Sequence, residues 1–271
     1  MKVFAIRDEE DTARKNLGYV LYYEREKQFY IELPDDSDEW ETPLILSSFV
    51  KRGEYTVNAY WSKIWVQQRI VPTDRQNLGQ ILKTNGLKEY DEYELLMLGE
   101  GRCAQDNYYL IPLPEEEITE RFRERYQRKV EDVVPLEDAR LLVFFRDGNV
   151  RKCNMKLMLA CDRRFSAILN NEALFRKVGV QTGGYGICWG ENLYISDEKL
   201  YSSGRSVPLS LRDFKSFVSM RIINTAEAAE LMECSRQNIE DLVRRGKLHP
   251  VKVDAKSKLF LKSEIQQRLW K

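Results

Sequence analysis

The sequence predicts an α+β protein built from several domains. Its 271 residues exceed the roughly 100–200 residues of a typical single domain. Apolar residues make up 43% and charged residues 32%, which is ordinary for a globular chain. Runs of strand type are followed by helical patterns, first in the N-terminal part and again after residue 130. We therefore expect an α+β N-terminal domain over 1–114, a linking helix over 115–129, a small α+β middle domain over 130–205, a linker over 206–219 and a C-terminal domain over 220–271.

The N-terminal domain begins with three runs of β-branched and aromatic residues, at 3–6, 19–23 and 29–31, which predict strands. From Pro43 to Leu98 the pattern becomes helical, and residues 108–111 return to strand type. One predicted helical stripe repeats at i, i+3, i+4, i+7 and i+8 and consists of Val57, Tyr60, Trp61, Ile64 and Trp65. The aromatic residues suit a core or a dimer interface better than a ligand pocket, and residues 1–114 resemble no family.

The middle domain is predicted to contain strands at 130–134, 141–145 and 150–153, with a hairpin turn at Asp147-Gly148. A helical pattern over 156–175 precedes a predicted strand pair at 178–181 and 185–189. The segment also contains Val133-Val134-Pro135-Leu136, the run from Leu141 to Gly148, Phe175, Gly186-Ile187-Cys188-Trp189, Leu193 and Ile195-Ser196. In the order and spacing of these residues it resembles the bacterial domain-of-unknown-function family 2442. The resemblance implies a small α+β fold without an assigned activity, to which a C-terminal DNA-binding module is sometimes appended.

Several classes of protein are disfavoured by composition. No stretch approaches the roughly 18 apolar residues of a membrane helix, and the N-terminus has no apolar signal region, so we expect a cytoplasmic protein without membrane association. The five scattered cysteines and the single His249 predict neither a zinc site nor a multi-histidine metal centre. The acidic run at 35–39 is expected to be a solvated loop rather than a metal site.

Charge is distributed unevenly although the net charge is zero. Residues 1–114 carry 14 Lys/Arg against 20 Asp/Glu, whereas residues 220–271 carry 11 against 7. A basic tail on an acidic body is typical of a nucleic-acid-binding module attached to a domain with another role.

The tail predicts two short helices joined by a tight turn. Thr225 is the expected N-cap of the first helix, and Ser235 is the expected N-cap of a second helix over 235–246. Gly246 ends that helix where a left-handed backbone is usual. The apolar residues expected to pack the two helices together are Ala228, Leu231, Met232, Ile239, Leu242 and Val243.

The outward face of the second helix carries the residue types that read DNA. Arg236, Gln237 and Asn238 occupy its first turn, where a recognition helix reaches base edges. Glu240 is a candidate for contacting a cytosine amino group, whereas Asp241 is expected to face away. The candidate phosphate contacts near the helix end are Arg244, Arg245 and Lys247.

After Pro250, an alternating pattern predicts a two-stranded wing over 251–261, followed by a last helix capped by Ser263. The wing supplies Lys252, Lys256 and Lys258 as further contacts. The order helix, turn, helix, hairpin, helix resembles the winged helix-turn-helix modules of phage excisionases and MerR-type regulators. One departure is Glu233, which stands in the turn where such modules often carry Gly.

These observations predict a sequence-specific protein that binds double-stranded DNA, as a transcriptional regulator or an antitoxin-like repressor. One module is small, so useful specificity predicts a homodimer on a repeated site. We expect no catalytic residues, no metal and no cofactor, and the sequence identifies no effector. The alternatives are a nucleic-acid-processing enzyme that uses the module for targeting, an architectural factor of excisionase type, and an adaptor whose module binds protein.

Overall fold

The computed structural model describes residues 1–114, 120–160, 162–190, 193–206, 211–253 and 258–270. The chain divides into two compact units, Met1–Arg123 and Glu124–Lys271. Every helix in the described ranges is too short or too polar to span a lipid bilayer. The two units are described separately.

The first unit contains an antiparallel sheet with the strand order β4-β3-β2-β1-β5 among its described residues. The predicted strands at 3–6, 19–23, 29–31 and 108–111 are confirmed. Strand β5 comes from far along the chain and pairs with β1 through Phe4 and Pro112. The strands are β1 (Lys2–Asp8), β2 (Gly18–Tyr23), β3 (Gln28–Glu32), β4 (Thr56–Val57) and β5 (Tyr108–Pro112).

Short helices connect β3 with β5, and the predicted stripe from Val57 to Trp65 is wrong at its beginning. Val57 pairs with Ile31 in the sheet, and Asn58 then caps α2 by accepting a hydrogen bond from the Trp61 N–H. Within α2, Trp65 is buried but Tyr60 is 66% exposed. The helices are α1 (Leu44–Lys51), α2 (Ala59–Gln67), α3 (Leu78–Thr84), α4 (Glu92–Leu98) and, across the boundary between the units, α5 (Glu120–Gln127).

Most aromatic residues of this unit form its core, as the sequence predicts. Burial of such large apolar side chains is the main stabilising contribution to a domain of this size. Trp40 is an exception, because it is 87% exposed. The buried aromatic residues before position 66 are Phe4, Tyr19, Tyr22, Tyr23, Phe29, Tyr30, Phe49 and Trp65.

The middle part of the second unit has two antiparallel sheets, with orders β12-β8-β7-β6 and β11-β10-β9 in the described residues. The predicted strands are confirmed, and Gly148 turns the β7–β8 hairpin with a φ of +83°. The predicted helical stretch over 156–175 is interrupted and forms short pieces. The strands are β6 (Val130–Leu136), β7 (Arg140–Phe145), β8 (Val150–Asn154), β9 (Gly179–Val180), β10 (Gly186–Trp189), β11 (Leu193–Ser196) and β12 (Arg205–Ser206), with helices α6 (Met155–Met158), α7 (Ser166–Leu169), α8 (Glu172–Phe175) and α9 (Asp197–Ser203).

The turn before β10 requires glycine because it touches the backbone of β6. Gly184 has a φ of +80°, and a Cβ there would lie 2.3 Å from the Val130 carbonyl oxygen. Glycine is the residue that adopts this backbone conformation without strain. This close approach holds the second sheet against the first.

Both faces of the β6–β7 pair are buried. One face, which includes Val133 and Val143, packs into the main core of the domain. The other face, which includes Val134 and Leu142, packs with Phe217 and Met220 of helix α10 (Leu211–Arg221). The sequence assigned most of α10 to a linker, whereas the structure shows a helix that covers this face of the sheet.

The C-terminal module comprises residues 222–270. Its sheet has the order β13-β15-β14, so the two strands of the predicted wing are joined by a strand that the sequence analysis did not predict. Its core contains Ala228, Ile239, Leu248, Phe260 and Ile265. The elements are β13 (Ile222–Asn224), α11 (Thr225–Leu231), α12 (Arg236–Arg244), β14 (Lys252–Val253), β15 (Lys258–Leu261) and α13 (Lys262–Leu269).

Candidate nucleic-acid interface

Helix α11 begins one residue earlier than predicted. The Asn224 side chain accepts hydrogen bonds from the N–H groups of Ala226 and Glu227, and the Glu227 carboxylate accepts from the Asn224 N–H at 2.8 Å. This reciprocal capping box satisfies N–H groups that have no partner within the helix. Thr225 is therefore not the N-cap. Its hydroxyl lies 3.5 Å from the Lys258 carbonyl oxygen, beside the wing.

Signals for this cap were present in the sequence, because Asn is a favoured cap residue and Glu follows it three positions later. The prediction for the last helix is wrong in a related way. Helix α13 begins at Lys262 after Leu261, and Ser263 lies buried within its first turn.

The turn between α11 and α12 places Glu233 in the left-handed region, with a φ of +53°. The Cys234 N–H donates to the Ala229 carbonyl at 3.0 Å, which closes the end of α11. Residues with a Cβ adopt this backbone region at a cost, and Gly does not. The departure noted at Glu233 in the sequence therefore coincides with the position that needs a positive φ.

Helix α12 is capped as predicted. The Ser235 hydroxyl accepts a hydrogen bond from the Asn238 N–H at 3.2 Å. Ile239 is completely buried and anchors the helix on α11. Gly246 follows the helix with a φ of +65°, which confirms the left-handed end. Cap, anchor and terminal glycine together fix which face of α12 meets solvent.

The first turn of α12 presents three polar side chains to solvent. Arg236, Gln237 and Asn238 are all exposed. In the described part of the chain, Arg236 has no carboxylate oxygen within 4 Å of its guanidinium group. An arginine in this condition keeps its full hydrogen-bonding capacity for a ligand.

The second half of α12 carries an acidic centre that the sequence analysis misplaced. Asp241 is four residues after Gln237 and three before Arg244, and residues at these spacings share a helix face. Its carboxylate binds the guanidinium group of Arg244 and lies 2.6 Å from that of Arg245. Asp241 therefore faces outward with the candidate DNA contacts and offsets part of their charge.

The wing is linked to α12 by a second ion pair. Lys258, on β15, binds the carboxylate of Glu240, which was a candidate for base reading. Lys252 is exposed on β14 and Lys247 is exposed after α12. The remaining candidate, Lys256, lies outside the described residues.

His249 has a structural position between α12 and the wing. Its backbone N–H donates to the Glu264 carboxylate at 2.8 Å, and its ring Nδ1 lies 3.1 Å from the same oxygen. These contacts tie the segment that enters the wing to α13.

At the start of β6, a region that we call the junction, the middle domain contacts both the module and the last residue of α10, the helix that leads into the module. Arg221, the last residue of α10, forms an ion pair of 3.1 Å with Asp132. Gln267 of α13 donates to the Glu131 carboxylate at 3.2 Å. Burial raises the pKa of Asp132, and the positive charge of Arg221 opposes that shift. No local sequence pattern indicates the junction, because its partners are distant in the chain.

Comparison with family models confirms both resemblances in the predicted order. Residues 130–206 match a family described as a protein of unknown function (DUF2442), and residues 222–271 match a helix-turn-helix domain of excisionase type. Comparisons with curated proteins and with solved structures gave no match. The helix-turn-helix match indicates that the chain binds DNA.

Proposed function

We propose that the protein is a sequence-specific regulator of transcription, or an antitoxin-like repressor, which acts by binding double-stranded DNA and not by catalysis. In this proposal α12 enters the major groove and the wing, residues 251–261, contacts the backbone. The cytoplasm of a bacterium is the proposed location. A small-molecule effector is left open.

The observation that carries the proposal is the first turn of α12. It presents Arg236, Gln237 and Asn238 to solvent from a helix whose orientation is fixed by Ser235 and Ile239. Arginine pairs bidentately with guanine, and Gln or Asn pairs bidentately with adenine. A helix N-terminus in the major groove is where helix-turn-helix proteins make such contacts.

The ion pairs on α12 indicate how its cations become available to DNA phosphates. The two carboxylates of Glu240 and Asp241 hold Lys258, Arg244 and Arg245. Exposed ion pairs contribute only about 0–1 kcal/mol, so a DNA phosphate competes with them readily. We expect these cations to exchange a carboxylate for a phosphate on binding, while Arg236 reads a base.

A homodimer is part of the proposal, since a single module buries only about 600–1,000 Å² on DNA. Dimers of helix-turn-helix proteins bind half-sites about 10–10.5 base pairs apart, or at multiples of that spacing. Sedimentation of the free protein and the spacing of repeats in its selected DNA test this part.

The proposal as a whole is tested by selection of bound duplexes from a random pool with the full chain, followed by sequencing. We expect one enriched motif, and we expect the preference at one of its positions to be lost when Arg236→Ala protein is used. Arg140→Ala, at the far end of the β7–β8 hairpin, is the matched control. Enrichment of bent or AT-rich DNA without a motif would favour the architectural alternative, and cleavage of the pool in Mg²⁺ would favour the enzyme.

A further inference from the structure

A cluster of arginines and tyrosines lies at the turn end of the β7–β8 hairpin, outside the helix-turn-helix module. The Arg146 guanidinium lies 4.2 Å from the Tyr126 ring centroid. Arg151 and Arg128 lie 4.8 and 5.8 Å from the ring centroid of Tyr201. We call these five residues the arginine–tyrosine patch.

The arginines of the patch differ from others in the same domain in their lack of acidic partners. Arg140 pairs with Asp138, and Arg176 pairs with Glu172. In the described ranges, no carboxylate oxygen lies within 4 Å of the guanidinium groups of the patch. Their positive charge is therefore not neutralised by a direct ion pair, and Asp147 attracts Arg128 only over a longer distance.

The only carboxylate of the hairpin turn is already engaged. The Tyr201 hydroxyl donates to Asp147 at 2.7 Å, and Asn149 donates to the same carboxylate. Arg151 Nε is buried and has no hydrogen-bond partner among the described residues. Stacking on the tyrosine rings orients the guanidinium groups, so part of the entropy cost of binding an anion is already met.

The patch lies near the place where the DNA-binding module is attached. Arg128 precedes β6 by two residues, and Val130 pairs with Phe145 at the turn end of β7. The junction residues Glu131 and Asp132 follow directly. The patch and the junction therefore lie at the same end of the β6–β7 strand pair.

We propose that the arginine–tyrosine patch binds backbone phosphates of the DNA that flanks the site read by α12. Guanidinium groups bind phosphate oxygens bidentately, and phosphate contacts position a protein on DNA without specifying sequence. The patch extends the footprint beyond one small module. This inference rests on the proposed function, because it assigns the patch to the same duplex.

The test compares two duplexes that contain the selected motif, one that ends at the edges of the motif and one that extends by about 10 base pairs (roughly one helical turn) on each side. Affinities of full-length wild type and the double variant Arg128→Gln/Arg151→Gln are measured across a salt series. The slope of log affinity against log salt is negative, and each lost phosphate contact makes it shallower by about 0.9. We expect a loss of about two units for each bound protomer on the long duplex and none on the short one, with the motif preference unchanged.

Arg140→Gln/Arg176→Gln is the control, because it removes the same charge from arginines that have acidic partners. If the double variant does not fold, Arg128→Gln alone replaces it, because Arg128 is exposed. Its expected loss is about one unit for each bound protomer. Equal slopes for patch and control variants would overturn the inference and leave the proposed function standing. An equal loss on both duplexes would also overturn it, since the patch would then act through the module.

Failure of wild type to bind any selected duplex would overturn the proposed function, and this inference with it. Loss of binding to single-stranded RNA or to an acidic protein, with unchanged slopes on DNA, would assign the patch to another partner.

Discussion

The junction and the outer face of α12 both contain ion pairs between aspartate and arginine, but the pair at the junction is buried and the pairs on α12 are in contact with solvent. At the junction, the side chains of Asp132 and Arg221 are only 5% and 12% exposed. On α12, Asp241 is 21% exposed and binds arginines whose side chains are 79% and 65% exposed. Breaking a buried pair leaves an uncompensated charge out of water, whereas solvent replaces the partner of an exposed one. The comparison indicates that the first pair holds α10, the helix that leads into the module, on the middle domain, and that the second adjusts the charge presented to a ligand.

Replacement of Asp132 by Ala should have the largest effect on stability. It leaves Arg221 buried without its carboxylate, and we expect the free energy of unfolding to fall by about 3–5 kcal/mol. Chemical denaturation with far-UV circular dichroism measures the change. Asp241→Ala is the matched control and should cost no more than about 1 kcal/mol. Equal losses in the two variants would remove the distinction between the regions.

Ile239→Ala tests whether the module depends on its own small core. Ile239 is fully buried among Ala228, Leu248 and Phe260. Truncation should cost about 2–5 kcal/mol and unfold the module first, while residues 1–205 stay folded. Limited proteolysis with mass spectrometry locates the opened segment. One cooperative transition for the whole second unit would show that the junction couples the module to the middle domain more tightly than this expectation allows.

Two variants of exposed residues in the module should distinguish base reading from phosphate contact by their effects on DNA affinity. Arg236→Ala should cost about 1–3 kcal/mol on the selected site and relax preference at one position. Lys252→Ala, in the wing, should weaken binding to selected and scrambled DNA alike and make the salt slope shallower by about one unit for each bound protomer. Fluorescence anisotropy on both duplexes across a salt series measures these effects. Equal losses on both DNAs for both variants would contradict base reading by α12.

The parts of this protein that the sequence predicted are those governed by local rules. Ser235 and Gly246 bound α12 through contacts within a few residues, and Gly148 turns a hairpin whose strands are adjacent in sequence. Local rules also explain the errors that remained. Asn224 was a better cap than Thr225, because Glu227 completes a capping box with it. Resemblance to a family predicts the fold of a segment, but it does not predict the partners of individual side chains.

The parts that escaped prediction depend on tertiary contacts. Asp132 and Arg221 are 89 positions apart, and nothing near either residue indicates the other. Helix α10 has Phe217 and Met220 at helical spacing, yet its role is defined by the second apolar face of β6 and β7. The expectation that Asp241 faces away could have been avoided, because its spacing from Gln237 and Arg244 already places the three residues on one face of α12. The pairing of Glu240 with Lys258 required the position of the wing.

Asp241→Asn should strengthen DNA binding by neutralising the acidic centre of α12. The substitution frees Arg244 and Arg245 from their carboxylate and removes one negative charge from the face presented to phosphates. We expect a gain of about 0.5–1 kcal/mol in affinity, similar in size to an exposed ion pair, and a steeper salt dependence. The same anisotropy measurement checks it. Weaker binding would mean that Asp241 positions the two arginines rather than competing for them.

Glu233→Gly should have the smallest effect and act on stability alone. A residue with a Cβ at a φ of +53° carries strain that Gly relieves, but Gly also gives the unfolded chain more freedom. The two contributions partly cancel, so we expect the free energy of unfolding to rise by about 0.5–1 kcal/mol. Glu230→Gly, within α11, is the control and should be destabilising by about 1 kcal/mol, since glycine is unfavourable inside a helix. Affinity for DNA should stay the same. A stability loss at position 233 would show that the Glu233 side chain stabilises the turn by more than its backbone strain costs.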